Sequence, residues 1–501
     1  MSLRRTEWLG LLGLSATAFL IHGYHPYSED AEIYLSGIEK MLKPSLFPTG
    51  EEYFQLHGHL TWFPQLVAWP TEWLHLPLPW VLLAWQLASF FLLLLACFTL
   101  MRKLFPSPTA AWSGVALIAA LFTMPVAGTA LYIMDPFLNP RNVIAFAEIF
   151  AIVKAMERRY FSAAVCLVFA ASVHPLMTAY SVTFALLLVA VDRLPHMFPL
   201  PRPQEMVDQE DPSYAAPALF LFAPVEGLFN RPTDAYDHVA ALHRYQFLSR
   251  WTWYEMLGAI APPVIFMWFA TFARRRGMRS LELLSWTTAM YGAIYFVGGY
   301  VVSLPHRLEV FTLFQPMRSL RVLYILMILV GGGLLGEFVL KNRVWRWLAL
   351  FIPLSAGMCW AQRVLYPESQ HIEWPTAPPT NRWAQAFDWI RTHTPQDAVF
   401  AMDPYYMAIR GEDTNGFRII AQRSRLADGS KDSGVAELFP NVAEQWSAQV
   451  QAQTGIDSFQ PQDFERLRHQ YGVSWVVLRQ PQHSGLDCPY SNTDVAVCRL
   501  P

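Results

Sequence analysis

Residues 24–34 read Tyr-His-Pro-Tyr-Ser-Glu-Asp-Ala-Glu-Ile-Tyr and set the carboxylates Glu29, Asp30 and Glu32 close together. A carboxylate beside a reacting centre can take a proton from a hydroxyl nucleophile or orient it for attack. The same acidity has a second explanation. Ser28 is a good helix N-cap, and acidic residues in a first helical turn are favoured by the helix dipole alone. Asp30 is the first candidate for chemistry here, and Glu29 the second.

A second acidic turn lies in Met134-Asp-Pro-Phe-Leu-Asn-Pro-Arg141. Asp135 could share an acceptor or a divalent cation with Asp30, since hard cations favour oxygen ligands. Arg141 could equally be an ion-pair partner of Asp135, and a polar turn residue needs no further role. His174 precedes Pro175 at a break in an apolar run, where freed backbone groups also need partners. Glu148 lies inside another apolar run. Ionisable groups in such runs are functional candidates by default, though a structural hydrogen bond serves either residue as well. The last group is basic: His306, Arg307, Arg318 and Arg321. Arg318 and Arg321 are three apart and are expected on one helix face. Paired guanidinium groups suit phosphate or pyrophosphate. Snorkelling to a membrane interface would also explain them, and Glu309 could neutralise one.

The elements that must position these residues are membrane helices. Of 501 residues, 53% are hydrophobic and only 15% charged, against about a quarter charged in soluble proteins. The 19 Trp suit two membrane–water interfaces. A net charge of -2 offers no basic excess for nucleic acid. A span needs about 20 apolar residues. The candidates are 6–22, 79–101, 111–133, 141–157, 161–191, 251–273, 281–302, 313–340 and 345–366. The first carries Arg4 and Arg5 before it, as a signal peptide would, but lacks a small-residue cleavage site, which favours an uncleaved helix. The run 161–191 is either one kinked helix or two short ones around His174.

Clusters of Lys and Arg set orientation. Arg4 and Arg5, Arg102 and Lys103, Lys154 to Arg159, Arg274 to Arg279, and Lys341 to Arg346 all fall on one side if there are nine spans. That side is expected to be cytoplasmic. The opposite side receives the loops 23–78 and 192–250 and everything after 366. All the candidate residues at span ends then share the outer side. An amphipathic helix is expected over 28–42, with a second interfacial stretch over 62–69. A helix is expected over about 234–249.

Residues 367–501 read as a small α/β domain. Helices are expected over 382–393 and 464–471, and strands over 398–402, 417–421, 473–478 and 495–500. Cys488 and Cys498 can form a disulfide if this domain lies outside the cytoplasm. The chain thus divides into a membrane domain, 1–366, and a soluble domain, 367–501. The run of glycines at 331–333 and Gly336 lacks the lysine and strand of a nucleotide loop and suits close helix packing.

The run Ser28-Glu-Asp-Ala-Glu-Ile-Tyr-Leu-Ser-Gly-Ile-Glu-Lys-Met41, then Leu46-Phe-Pro48, Glu52-Tyr-Phe54 and Trp62-Phe-Pro64, resembles the first outer loop of the GT-C superfamily of integral-membrane glycosyltransferases. The resemblance implies a mainly α, polytopic GT-C-like bundle of about nine or more spans with an extracytoplasmic C-terminal α/β domain. It implies the cytoplasmic (inner) membrane of a bacterium and a polyprenyl-phosphate-linked sugar as donor. Asp30, or Glu29, matches the acidic catalytic position of the first loop, and Asp135 the acidic position of the second. The tail lacks the Trp-Trp-Asp-like motif of oligosaccharyltransferases, and the acceptor does not carry over. Two other classes remain open: a transporter or flippase of lipid-linked sugars, and a non-catalytic envelope protein of the same fold. Internal repeats would favour a transporter, and none is evident.

Overall fold

Inside a bilayer an apolar run has no partner for its backbone but itself, so it folds as a helix. The computed structural model describes residues 3–193, 239, 242–303, 311–409, 411–482 and 485–501. It is mainly helical, with its one large sheet in the C-terminal part. The N-terminal part holds α1 (Arg5–His22), α2 (Ala31–Leu42), α3 (Glu52–Gly58), α4 (Phe63–Leu74), α5 (Leu78–Leu104), α6 (Pro108–Ala120), α7 (Pro140–Met156), α8 (Tyr160–Val173) and α9 (Pro175–Arg193). After these come α10 (Trp253–Arg275), α11 (Arg279–Val302), α12 (Leu320–Leu334) and α13 (Val344–Leu365). Among the described residues, five helices are long and apolar enough to cross a membrane: α5, α9, α10, the run Phe311–Leu340 that contains α12, and α13.

The helix expected over 111–133 stops early. α6 ends at Ala120, and β1 (Pro125–Val126) pairs antiparallel with β2 (Leu131–Tyr132). Pro125 pushes the residue before it out of the helical region. Gly128 turns at φ +64, and a Cβ there would strike the Trp251 ring. The run 161–191 is two helices, α8 and α9, with His174 between them. Pro175 opens α9, where its missing N–H is no loss. The first part of the helix expected over 234–249 lies largely outside the described residues, and Arg244–Gln246 and Leu248–Arg250 are single 3-10 turns. On α4, Trp69 and Trp73 are exposed, as is Trp62 just before it.

The tail begins with α14 (Arg382–His393) and β3 (Val399–Ala401), followed by α15 (Phe417–Ala421), β4 (Ser424–Arg425), α16 (Asp432–Leu438), α17 (Ala443–Gln453) and α18 (Pro461–Tyr471). It ends in β5 (Trp475–Arg479), β6 (Asp487–Ser491) and β7 (Val495–Arg499). The sheet order is β4-β3-β5-β7-β6, parallel across β4, β3 and β5 and antiparallel across β5, β7 and β6. Cys488 and Cys498 are joined as a disulfide between β6 and β7.

The strand expected over 417–421 is the helix α15. Its cause lies far away in sequence. The Glu32 carboxylate accepts the Arg418 N–H, at 2.9 Å to Oε2 and 3.2 Å to Oε1, and so caps the helix from outside. Arg418 in turn forks onto Asp432 at 2.6 and 2.9 Å. Glu32, Arg418 and Asp432 are all buried. The backbone stitches the same two regions together. Tyr24 N–H donates to His371 O at 3.0 Å, Glu373 N–H to Tyr24 O at 2.9 Å and Gly416 N–H to Tyr27 O at 2.8 Å.

Glu39 on α2 faces this same seam and accepts from Gln422 Nε2 at 2.8 Å. Burial pushes its carboxyl up to about 7, against that one hydrogen bond. A carboxyl raised on folding stabilises fully below its unfolded value, near 4.5, and the contribution is lost as pH rises through about 7. Glu39→Gln, neutral at every pH, is therefore expected to stabilise the protein by about 1–3 kcal/mol at pH 8 and by little at pH 4.5. Thermal unfolding at the two pH values reads the difference.

Candidate functional site

The turn that leads into α2 is held in an unusual shape. Glu29 has φ 56, a left-handed conformation that costs a non-glycine residue about 1–3 kcal/mol unless its surroundings fix it. Here the Glu29 N–H donates to Thr414 O at 2.9 Å, and Ser28 bridges to Asn415. Ser28 is therefore occupied by the tail, and α2 starts at Ala31 rather than capping on Ser28. Asp30 takes the N-cap position, yet its side chain makes no capping bond. It points away from its own helix. Asp30 Oδ2 accepts from Arg141 Nη2 at 2.9 Å, and Asp30 Oδ1 from Lys431 Nζ at 3.3 Å. Capping of its own helix thus does not account for this carboxylate.

Asp30 opens onto a cavity of about 1230 Å³ between the membrane helices and the tail. Glu29, Asp135, Arg141, His174, Arg318 and Lys431 line it too. So expected residues from four separate places in the chain share one space with Lys431. Burial alone would raise the Asp30 carboxyl, but Lys431 and then Arg141 outweigh it and hold it well below the usual carboxylate range. Asp30 is therefore ionised at any ordinary pH. It is a strong hydrogen-bond acceptor and a weak base.

Asp135 is fixed from every side. Its Oδ2 accepts from Asn139 Nδ2 at 2.7 Å, and its backbone binds Asn142 and Gln86. Arg141 Nη2 lies 3.5 Å from that same Oδ2 and 2.9 Å from Asp30. The divalent cation expected between Asp30 and Asp135 does not fit this arrangement, because the Arg141 guanidinium already stands there and supplies the positive charge. Among the described residues, the one acidic cluster with metal-ligand spacing is Glu368, Glu412 and Asp494, and none of the three lines the cavity.

Arg321 is a correction to the expected arginine pair. It is buried, and its guanidinium donates to Ile133 O at 2.9 and 3.1 Å and to Arg141 O at 3.2 Å. Its Nη1 lies 3.5 Å from Glu148 Oε2, and Ser181 holds the other Glu148 oxygen at 2.9 Å. Arg321 and Glu148 thus brace the chain that carries Asp135 and Arg141. The pair separates because Pro316–Ser319 is a 3-10 turn, so Arg318 and Arg321 do not follow one helical spacing. Arg318 stays at the cavity, 5.2 Å from the Tyr245 ring centre, and its Nε is buried with no hydrogen-bond partner among the described residues. His174 caps the end of α8 and stands in the cavity wall, with Met177 N–H 3.5 Å from its Nδ1. His306 and Arg307 lie outside the described residues.

Lys431 is the residue sequence reasoning missed. Its loop is tightly built. Asp428 Oδ1 accepts the N–H groups of Ser430 at 2.7 Å and Lys431 at 2.6 Å, and Asp432 Oδ2 accepts the Asp428 N–H at 2.7 Å. Trp446 Nε1 donates to Asp428 O at 2.9 Å from below. The side chain of Lys431 then reaches both Glu29 and Asp30. The run Asp428-Gly-Ser-Lys-Asp432 is a recognisable side-chain-to-backbone turn, which was the available signal. No known family model matches the chain, and no curated protein matches it.

Proposed function

We propose that the protein is a GT-C-like membrane glycosyltransferase that moves a sugar from a polyprenyl-phosphate donor to an acceptor hydroxyl on the extracytoplasmic face. What carries the reading is the shared cavity: Asp30, Asp135, Arg141, His174 and Arg318 meet at the junction of apolar helices and a tail domain. The Lys and Arg clusters, counted over nine spans, support an outer position for that junction, and the Cys488–Cys498 disulfide suits an oxidising compartment.

In this reading Arg318 holds the donor phosphate, and Asp30 accepts a hydrogen bond from the acceptor hydroxyl and aims it. The hydroxyl oxygen forms a bond to the anomeric carbon. The bond from that carbon to the phosphate oxygen breaks, and its electron pair leaves with the lipid phosphate. The second ionisation of a phosphate monoester lies near pH 6, far above Asp30. The hydroxyl proton therefore ends on the departing phosphate or in water rather than on Asp30. Arg141 and Asp135 position Asp30.

The purified protein, incubated with a panel of polyprenyl-phosphate sugars, is expected to release lipid phosphate with at least one of them. Movement of labelled lipid across vesicles without release would favour transport instead. Arg318→Ala is expected to raise the donor KM by about 10–100-fold, the worth of a charge-assisted phosphate contact, with a smaller change in kcat. Steady-state kinetics over donor concentration separate the two.

A further inference from the structure

The charges that line the cavity balance. Glu29, Asp30, Asp135 and Glu255 stand against Arg141, Arg244, Arg318 and Lys431. Three of the four cations are already engaged. Arg141 joins Asp30 and Asp135, Arg244 joins Glu255 at 3.1 Å, and Lys431 joins Glu29 and Asp30. Both oxygens of Asp30 are thereby taken by cations. An acceptor hydroxyl would have to share either oxygen with a cation, which weakens its contact with the carboxylate. Arg318 alone of the four has no ion pair among the described residues, yet it lies close enough to act on the charge of Asp30.

We propose that Lys431 is an exchangeable latch, handed from the two carboxylates to the anionic head group of the bound substrate. The idea rests on the phosphate-linked donor proposed above. A phosphate that binds Arg318 brings negative charge beside Asp30 and Glu29, and repulsion between them is relieved when a cation moves between. Lys431 is suited to that move. Its backbone is pinned by Asp428, whereas its ammonium sits on a flexible four-carbon stem and makes point-charge contacts with no fixed geometry. The transfer frees Oδ1 of Asp30 for the acceptor hydroxyl while Arg141 keeps Oδ2. The cavity thus exposes its acceptor-orienting carboxylate only when an anionic donor is in place.

The test is the binding of a short-chain polyprenyl phosphate to the full-length protein in detergent, with inorganic phosphate as a second probe. Lys431→Gln is expected to weaken binding about tenfold. Glu29→Gln is expected to tighten it about two- to fivefold, because a competing, partly exposed carboxylate is gone. The gain should vanish in the double variant Glu29→Gln, Lys431→Gln. A gain in affinity cannot come from a variant that has merely misfolded. If Glu29→Gln binds no better than wild type, or its gain survives without Lys431, the latch is overturned and the donor reading stands. If wild-type protein binds no polyprenyl phosphate, the donor reading falls and the latch with it. The same gain with inorganic phosphate assigns the exchange to the phosphate group alone.

Discussion

Asp30→Asn is expected to lower lipid-phosphate release by about 10²–10⁴-fold, the range for losing a positioned proton acceptor or a preorganised charge. Asparagine keeps the shape of the side chain but removes the charge that, in the proposed reaction, draws the acceptor hydroxyl. It also gives up the ion pairs to Arg141 and Lys431. Donor affinity should hold or improve, since Lys431 keeps only Glu29 as a competitor. A fall in kcat without a rise in KM is thus the signature of Asp30 acting on the acceptor. Single-turnover release with saturating donor measures it. Transfer that survives the substitution would sink the role assigned to Asp30 and turn attention to Glu29.

The other large effect is on stability. Arg418→Met is expected to destabilise the protein by about 3–5 kcal/mol, because it strands Glu32 and Asp432 as buried carboxylates without the guanidinium they share. It also removes a donor from the contact by which Glu32 holds the start of α15. The combination Glu32→Gln, Arg418→Met, Asp432→Asn should recover much of the loss, since an uncharged set needs no counter-ion. Thermal unfolding and limited proteolysis of the tail read both variants. An Arg418→Met protein as stable as wild type would show that the triad does not hold the two parts together.

Much of the site could be read from sequence because of where its residues sit relative to the spans. Asp30, Asp135, Arg141 and Arg318 each lie at or near the end of an apolar run, and His174 at a break within one. The Lys and Arg clusters lead to the expectation that those ends share one side, and the structure gathers all five residues round one cavity. What could not be read depended on partners far away in the chain. Glu32 looked like a first-turn acid, but its partner Arg418 is 386 positions away. The same distance hid the helix at 417–421, whose β-prone sequence is overruled by a carboxylate from α2. Arg321 looked outward because a regular helix was assumed through Ser319, and a 3-10 turn changed its direction. The early end of α6 was visible in Pro125 and Gly128, but the apolar run concealed it.

Asp30 and Lys431 are separated by 401 positions. The two residues cannot meet until the ribosome has passed residue 431 and the tail has folded well enough to fix the loop from Asp428 to Asp432. Until then the carboxylates of the first loop stand without their lysine, and the cavity has only one of its two walls. The order of synthesis therefore makes completion of the site one of the last events in the maturation of the chain. A nascent protein whose helices already sit in the membrane would still lack the lysine that closes the cavity.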